Sequence, residues 1–153
     1  MAPTIHVLDP DYGTVITLKE SSDTLAGVET CSTSESCDIH YRVSSRHLQL
    51  ESPWFKRAMT KDTWVESKPE NGKFQIVAHD WDEDTFLLLL NIFHLRNKQV
   101  PRVISLETLA KVGVLIDYYE FGEALEMFTA VWIAAFKKTD IPSTFCRSVV
   151  LWI

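Results

Sequence analysis

Residues 86–93 read Phe-Leu-Leu-Leu-Leu-Asn-Ile-Phe, an apolar run broken by a single polar side chain, Asn91. As a helix this stretch is apolar on every side, and such a helix belongs in the middle of a core. It falls well short of the ~18 apolar residues that a membrane span needs. Its start is marked as well. Asp82 suits an N-cap, and Glu83 and Asp84 put negative charge in the first turn, where the helix dipole favours it. The remainder of the 153-residue chain must therefore supply the cover. That length fits one domain with a substantial core, and the 46% apolar and 24% charged fractions are those of an ordinary globular protein.

The first third reads as strands. Ile5 to Leu8 is a short apolar segment, followed by the turn-rich Asp9-Pro10-Asp11-Tyr12-Gly13 and a β-branched run from Thr14 to Leu18. This spacing predicts a hairpin, with Gly13 free to take positive φ. Residues 20–37 are rich in Ser and Thr, contain four acids and no base, and show no period, which predicts a flexible surface insertion. Ile39, Tyr41 and Val43 alternate with polar neighbours, the period of a half-buried strand. Ser44 or Ser45 is placed to cap a short helix carrying Leu48 and Leu50. Pro53 suits the first turn of the next, with Trp54, Phe55, Ala58 and Met59. After the Asn71-Gly72 turn signal, residues 74–78 read as another strand.

The rest is helical. Ser105 caps a helix with Leu106, Leu109, Val112 or Gly113, and Ile116 on one face. A further helix runs through Phe121, Leu125, Phe128, Trp132 and Phe136. Pro142 permits a last helix from Ser143 into the apolar residues 149–153, which need a covering surface or a partner. Strands first and helices after predict an α+β fold, a small mixed sheet at one end of a cluster of five to six helices. Residues 1–139 form the domain on this reading, and 140–153 begin a C-terminal helical extension.

Fifteen basic and 21 acidic residues leave a formal charge of −6, which disfavours general affinity for nucleic acid or anionic membrane. The start of the chain lacks the basic and apolar run of a secretory signal, and Cys31, Cys37 and Cys146 are too few for a disulfide scaffold. Together these predict a cytoplasmic or nuclear protein. Three rival chemistries bear on the same residues. Cys31, Cys37, His40 and His47 offer zinc ligands, but without the paired two-to-four-residue spacing of structural sites. No nucleophile elbow or glycine-rich phosphate cradle is present, so no catalytic or cofactor residue is assigned and an enzyme is not expected. Asp80, Asp82, Glu83 and Asp84 are explained by a capped helix start rather than a metal site. Arg42, Arg46, Lys56, Arg57 and Lys61 lie near Tyr41, Trp54 and Phe55, a pattern that also suits single-stranded nucleic acid. A small nucleic-acid-associated or zinc-binding regulatory protein is thus the alternative to a protein-binding module.

Four segments in order carry a resemblance. They are DPDYGTVITL, YRVSSRHLQLESPWFKRAM, FQIVAHDWDEDTFLLLLNIFHLRNKQVPR and LETLAKVGVLIDYYEFGEAL. Together they resemble the BTB/POZ family, and more closely its fungal branch of small, stand-alone domains. Tyr41, Val43, Leu48, Ser52, Pro53 and Phe55 fit the family's strand-to-helix passage. Gly-Thr-Val departs from the usual Asp-Val of the first segment. The resemblance implies a protein–protein interaction module that homodimerises or heterodimerises and serves as an adaptor or scaffold. It places the contacts at residues 5–8 and 46–55, with Ile5, Val7, Leu48, Trp54 and Phe55 as interface residues; the alternative reading of Leu48, Trp54 and Phe55 is that they are simply core. Members also recruit a cullin-type ubiquitin-ligase scaffold, often through a hydrophobic–x–Glu motif after the helix that holds Phe86. Residues 97–107 lack that motif, since Ser105 stands two positions before Glu107.

Overall fold

The computed structural model describes residues 4–19, 38–60, 72–121 and 123–136. The insertion expected at 20–37 and the helix expected from Ser143 lie outside the described residues. So do Cys31, Cys37, Lys61 and Cys146. Among the described residues the fold is α+β: a four-stranded mixed sheet and five α-helices. The strands are β1 (Thr4–Val7), β2 (Thr14–Lys19), β3 (Ile39–Val43) and β4 (Phe74–His79). The helices are α1 (Ser45–Glu51), α2 (Pro53–Met59), α3 (Glu83–Phe93), α4 (Leu106–Tyr119) and α5 (Glu123–Phe136). Among the described residues, no helix is long and apolar enough to cross a membrane.

The sheet corrects the expected hairpin. Its order is β1-β3-β2-β4, so β1 and β2 are not neighbours. β1 runs parallel to β3, from Thr4 opposite Ile39 to Val7 opposite Arg42. β3 is antiparallel to β2, and β2 is parallel to β4. The alternation explains the placement. Thr14, Ile16 and Leu18 of β2 and Ile39, Tyr41 and Val43 of β3 are all buried, so these strands take the centre. Ile5 and Val7 of β1 remain 45% and 43% exposed, as suits an edge.

Gly13 is also needed for a different reason than expected. Its φ is not positive; instead, a Cβ there would stand 2.3 Å from the Ser45 hydroxyl oxygen. A side chain there would have to displace that hydroxyl. Thr14 and Ser45 then share a hydroxyl hydrogen bond of 2.8 Å.

One core cluster joins the sheet to the helices. In α3, Phe86 and residues 88–93 are buried, Asn91 among them, and Leu87 is half-buried, as the sequence predicts. Asp82 accepts from the Thr85 amide at 3.0 Å, Ser105 from the Thr108 amide at 3.0 Å, and Ser52 from the Phe55 amide at 3.0 Å. Ser44 stands at the N-cap of α1 without a side-chain bond. The buried face of α4 is Leu109, Val112, Leu115 and Tyr119, with Leu106 and Tyr118 turned outward. Tyr118 is a half-exposed ring. α4 ends at Glu120 in the left-handed region, so Phe121 precedes α5 rather than belonging to it. It is buried all the same, its ring 4.3 Å from that of Phe93.

Candidate functional site

Of the five residues expected at an interface, the structure brings Ile5 and Val7 together on β1. Strand alternation sends His6 to one face and Ile5 and Val7 to the other. The His6 ring stacks on Tyr41, with centroids 5.2 Å apart, and its Nε2 lies 2.9 Å from Glu83 Oε1. That pair ties β1 to the first turn of α3 and leaves Ile5 and Val7 outward. Beside them runs a groove of about 300 Å³, bounded by Leu87 and Asn91 of α3 and by Arg96 and Gln99 beyond it. The far side of β1 has no strand partner among the described residues. A strand in that position presents unpaired N–H and C=O groups, a template for another chain.

The other three expected residues lie elsewhere. Leu48 and Phe55 are core residues, 0% and 1% exposed, and do not belong to an outward face of the folded chain. Phe55 stacks flat on Tyr119 at 5.0 Å, which explains its burial. Trp54 is half-buried and meets Phe55 and Tyr119 edge-on, each at 5.0 Å. Sequence reasoning missed Leu50, which is 81% exposed. The signal was available: positions two apart on a helix do not share a face, so Leu48 and Leu50 could not both point inward. Asn91, the lone polar residue of the apolar run 86–93, was a second such signal, since it borders the groove.

The basic cluster does not assemble as a stacking surface. Tyr41 and Phe55 are buried. Arg57 forms a two-pronged ion pair with Glu120, which raises the guanidinium pKa and lowers that of the carboxyl. Arg42 and Lys73 lie over the Tyr12 ring, at 5.0 and 3.6 Å from its centroid. The hydrogen bond from Lys73 pulls the Tyr12 phenol below its usual range.

The acids near α3 are likewise engaged in structure. Asp82 binds Lys111 at 2.8 Å as well as Thr85, and these bonds bring its carboxyl down to about 2. His40 shares a hydrogen bond with the Thr17 hydroxyl at 3.0 Å. His47 lies 5.3 Å, ring to ring, from His94, whose nitrogens are both spent. Nδ1 donates to the Leu90 carbonyl at 2.7 Å, and Nε2 accepts from the Ser44 amide at 2.9 Å. Burial holds the His94 pKa below its ordinary value. Among the described residues, no group of three His, Cys, Asp or Glu side chains is arranged to hold a metal.

The chain matches no protein-family model and no curated protein.

Proposed function

We propose that this chain is a protein–protein interaction module of the BTB/POZ type, resembling the fungal stand-alone members. On this reading it pairs with itself or with a related chain through β1 and acts as an adaptor or scaffold. The observation that carries the reading is the edge strand itself: Ile5 and Val7 point outward from a strand that, among the described residues, has no strand partner on one side. Apolar residues on an open edge favour association, and edges without such a role are usually charged or covered. The four ordered sequence segments support the family assignment. A cullin-type ligase scaffold is a weaker candidate partner, because residues 97–107 lack the hydrophobic–x–Glu motif.

Light scattering after size exclusion, over a hundred-fold range of concentration, tests the reading. The expected result is a dimer that Ile5→Asp with Val7→Asp converts to monomer while circular dichroism stays unchanged. A wild-type chain that remains monomeric throughout would sink self-association and direct the search to heterotypic partners. A dimer indifferent to the double substitution would move the interface away from β1.

A further inference from the structure

The groove beside β1 carries more polar chemistry than a simple apolar edge. The Leu8 amide donates to the Arg42 carbonyl at 2.9 Å, so His6 and Leu8 bond toward β3. Alternation then turns the main-chain N–H and C=O of Ile5 and Val7 to the open side. A strand laid there points every second side chain to the α3 face of β1, which is the groove. Its other side chains lie beside Ile5 and Val7 and suit apolar residues.

Across the groove stand Leu87, Asn91, Arg96 and Gln99. Asn91 is only 7% exposed, yet its carboxamide enters no hydrogen bond among the described residues. A buried amide left unpaired is costly, and the groove gives a ligand access to it. The Arg96 amide donates to the Asn91 main-chain carbonyl at 2.8 Å, which sets the arginine at the end of α3. Its guanidinium takes part in none of the ion pairs among the described residues. Lys98 and Arg102 follow it, and residues 95–103 contain no acid. In a chain of formal charge −6 this rim is locally positive and favours a carboxylate.

A second copy offers none. The described edge strands read Thr-Ile-His-Val and Phe-Gln-Ile-Val-Ala-His, neither with an acid. Asp9, beyond the end of β1, already accepts from the Asp11 amide at 2.9 Å. Self-pairing through β1 would satisfy the main chain and leave Arg96 and Asn91 unmet. We propose that the groove between β1 and α3 takes an extended acidic segment of another protein. Its main chain pairs with Ile5 and Val7, and its groove-facing positions bring a carboxylate to Arg96 and a hydrogen-bonding side chain to Asn91. The inference rests on β1 as the associating edge and narrows the partner, which displaces a second copy from the same strand.

Selection of displayed random peptides of about eight residues on the full chain tests it. The expected binders alternate β-branched residues with at least one Asp or Glu. The most enriched sequence, made as a fluorescent peptide, should bind Arg96→Glu about ten-fold more weakly by fluorescence polarisation. Replacing the acid of that peptide with Lys should restore binding to Arg96→Glu. Val7→Pro deletes an outward N–H at an edge position, where proline is tolerated, and should also abolish binding. In light scattering the peptide should dissociate a wild-type dimer. Enriched peptides without an acid, or indifferent to Arg96→Glu in a variant folded by circular dichroism, would overturn the acidic partner. Binding that survives Val7→Pro would overturn β1 as its seat. Failure to enrich any peptide would overturn the proposal as well. A dimer still sensitive to Ile5→Asp with Val7→Asp would in that case leave β1 as the associating edge and give the groove to a second copy.

Discussion

The junction of α2 with α4 and the edge strand β1 are built on opposite principles. At the junction, polar and apolar contacts overlap on the same few residues. The Ser52 hydroxyl donates to the Tyr119 carbonyl at 2.6 Å and accepts from the Phe55 amide. Phe55 stacks on Tyr119, Tyr119 stacks on Phe121 at 5.5 Å, and the Trp81 indole N–H donates to the Tyr119 hydroxyl at 3.2 Å. Burial drives the Tyr119 phenol well above its usual range. Arg57 and Glu120 close the outside of the same joint. β1, by contrast, is four residues long, pairs on one side among the described residues and leaves its two apolar side chains nearly half exposed. Stability is concentrated where contacts are redundant, and the capacity to bind is left where they are not. A substitution at the junction is therefore expected to lower stability without a specific effect on association, and one in β1 to do the reverse.

Phe55→Ala offers the sharpest break. Removing a fully buried ring from a stack of aromatics should cost about 3–5 kcal/mol in urea unfolding. A loss below about 1 kcal/mol would show that the junction is not the anchor its packing implies.

Gly13→Ala should follow, at about 1–3 kcal/mol, through its clash with the Ser45 hydroxyl. The combination with Ser45→Ala removes the oxygen at 2.3 Å and leaves a contact of 3.4 Å to the Ser45 Cβ, so part of the loss should return. An unchanged loss in the double variant would place the strain elsewhere.

Acidification probes a site between the two regions. The neutral His94 ring ties α3 to the Ser44 amide at the start of α1, and Asp9, His47 and Arg96 are the charged or titratable groups acting on it. Its folded pKa lies below the ordinary value of 6.5. Above that value both states are neutral and the contribution is complete. As the pH falls below 6.5 the unfolded chain takes up a proton that the folded chain resists, so stability declines until the folded pKa is reached. Unfolding measured between pH 7.5 and 5 should show this decline, and His94→Gln, which cannot titrate, should flatten that part of the curve. A curve that His94→Gln leaves as steep would assign the decline to other groups.

The smallest effect on stability is expected at β1 itself. Ile5→Ala should change unfolding by less than about 0.5 kcal/mol, as for most exposed positions, while weakening self-association. A large stability loss would mean that β1 belongs to the core.

What was legible in the sequence is what local chemistry decides. Asp82, Ser105 and Pro53 mark their helix starts because a cap acts over three residues, and the burial of α3 follows from a run with only Asn91 to expose. The α+β class followed from the order of such segments. Strand order was not legible. Ile5 to Leu8 and Thr14 to Leu18 carry the right period and the right turn between them, yet β3 lies between the two strands. Periodicity says which side chains point inward and nothing of which strand lies alongside. The interface residues divided on the same ground. Ile5 and Val7 are outward on the alternation of β1, whereas Leu48 joins the core cluster and Phe55 stacks on Tyr119, far away in sequence.

The pairing of β1 with β3 has a consequence for the order of assembly. Thr4 meets Ile39 and Thr14 meets Phe74, so both parallel pairings close long stretches of chain before any contact rewards them. β4 is then held by packing on the buried centre of the sheet, through Ile76 and Ala78. Among the described residues, β1 is held by its bonds to β3, the His6–Tyr41 stack, the His6–Glu83 pair and the buried Leu8 that follows it. It is the strand that should join last in folding and open first in hydrogen exchange. The surface offered to a partner would then be the least protected segment of the sheet, ready to rearrange on contact without disturbing what lies behind it.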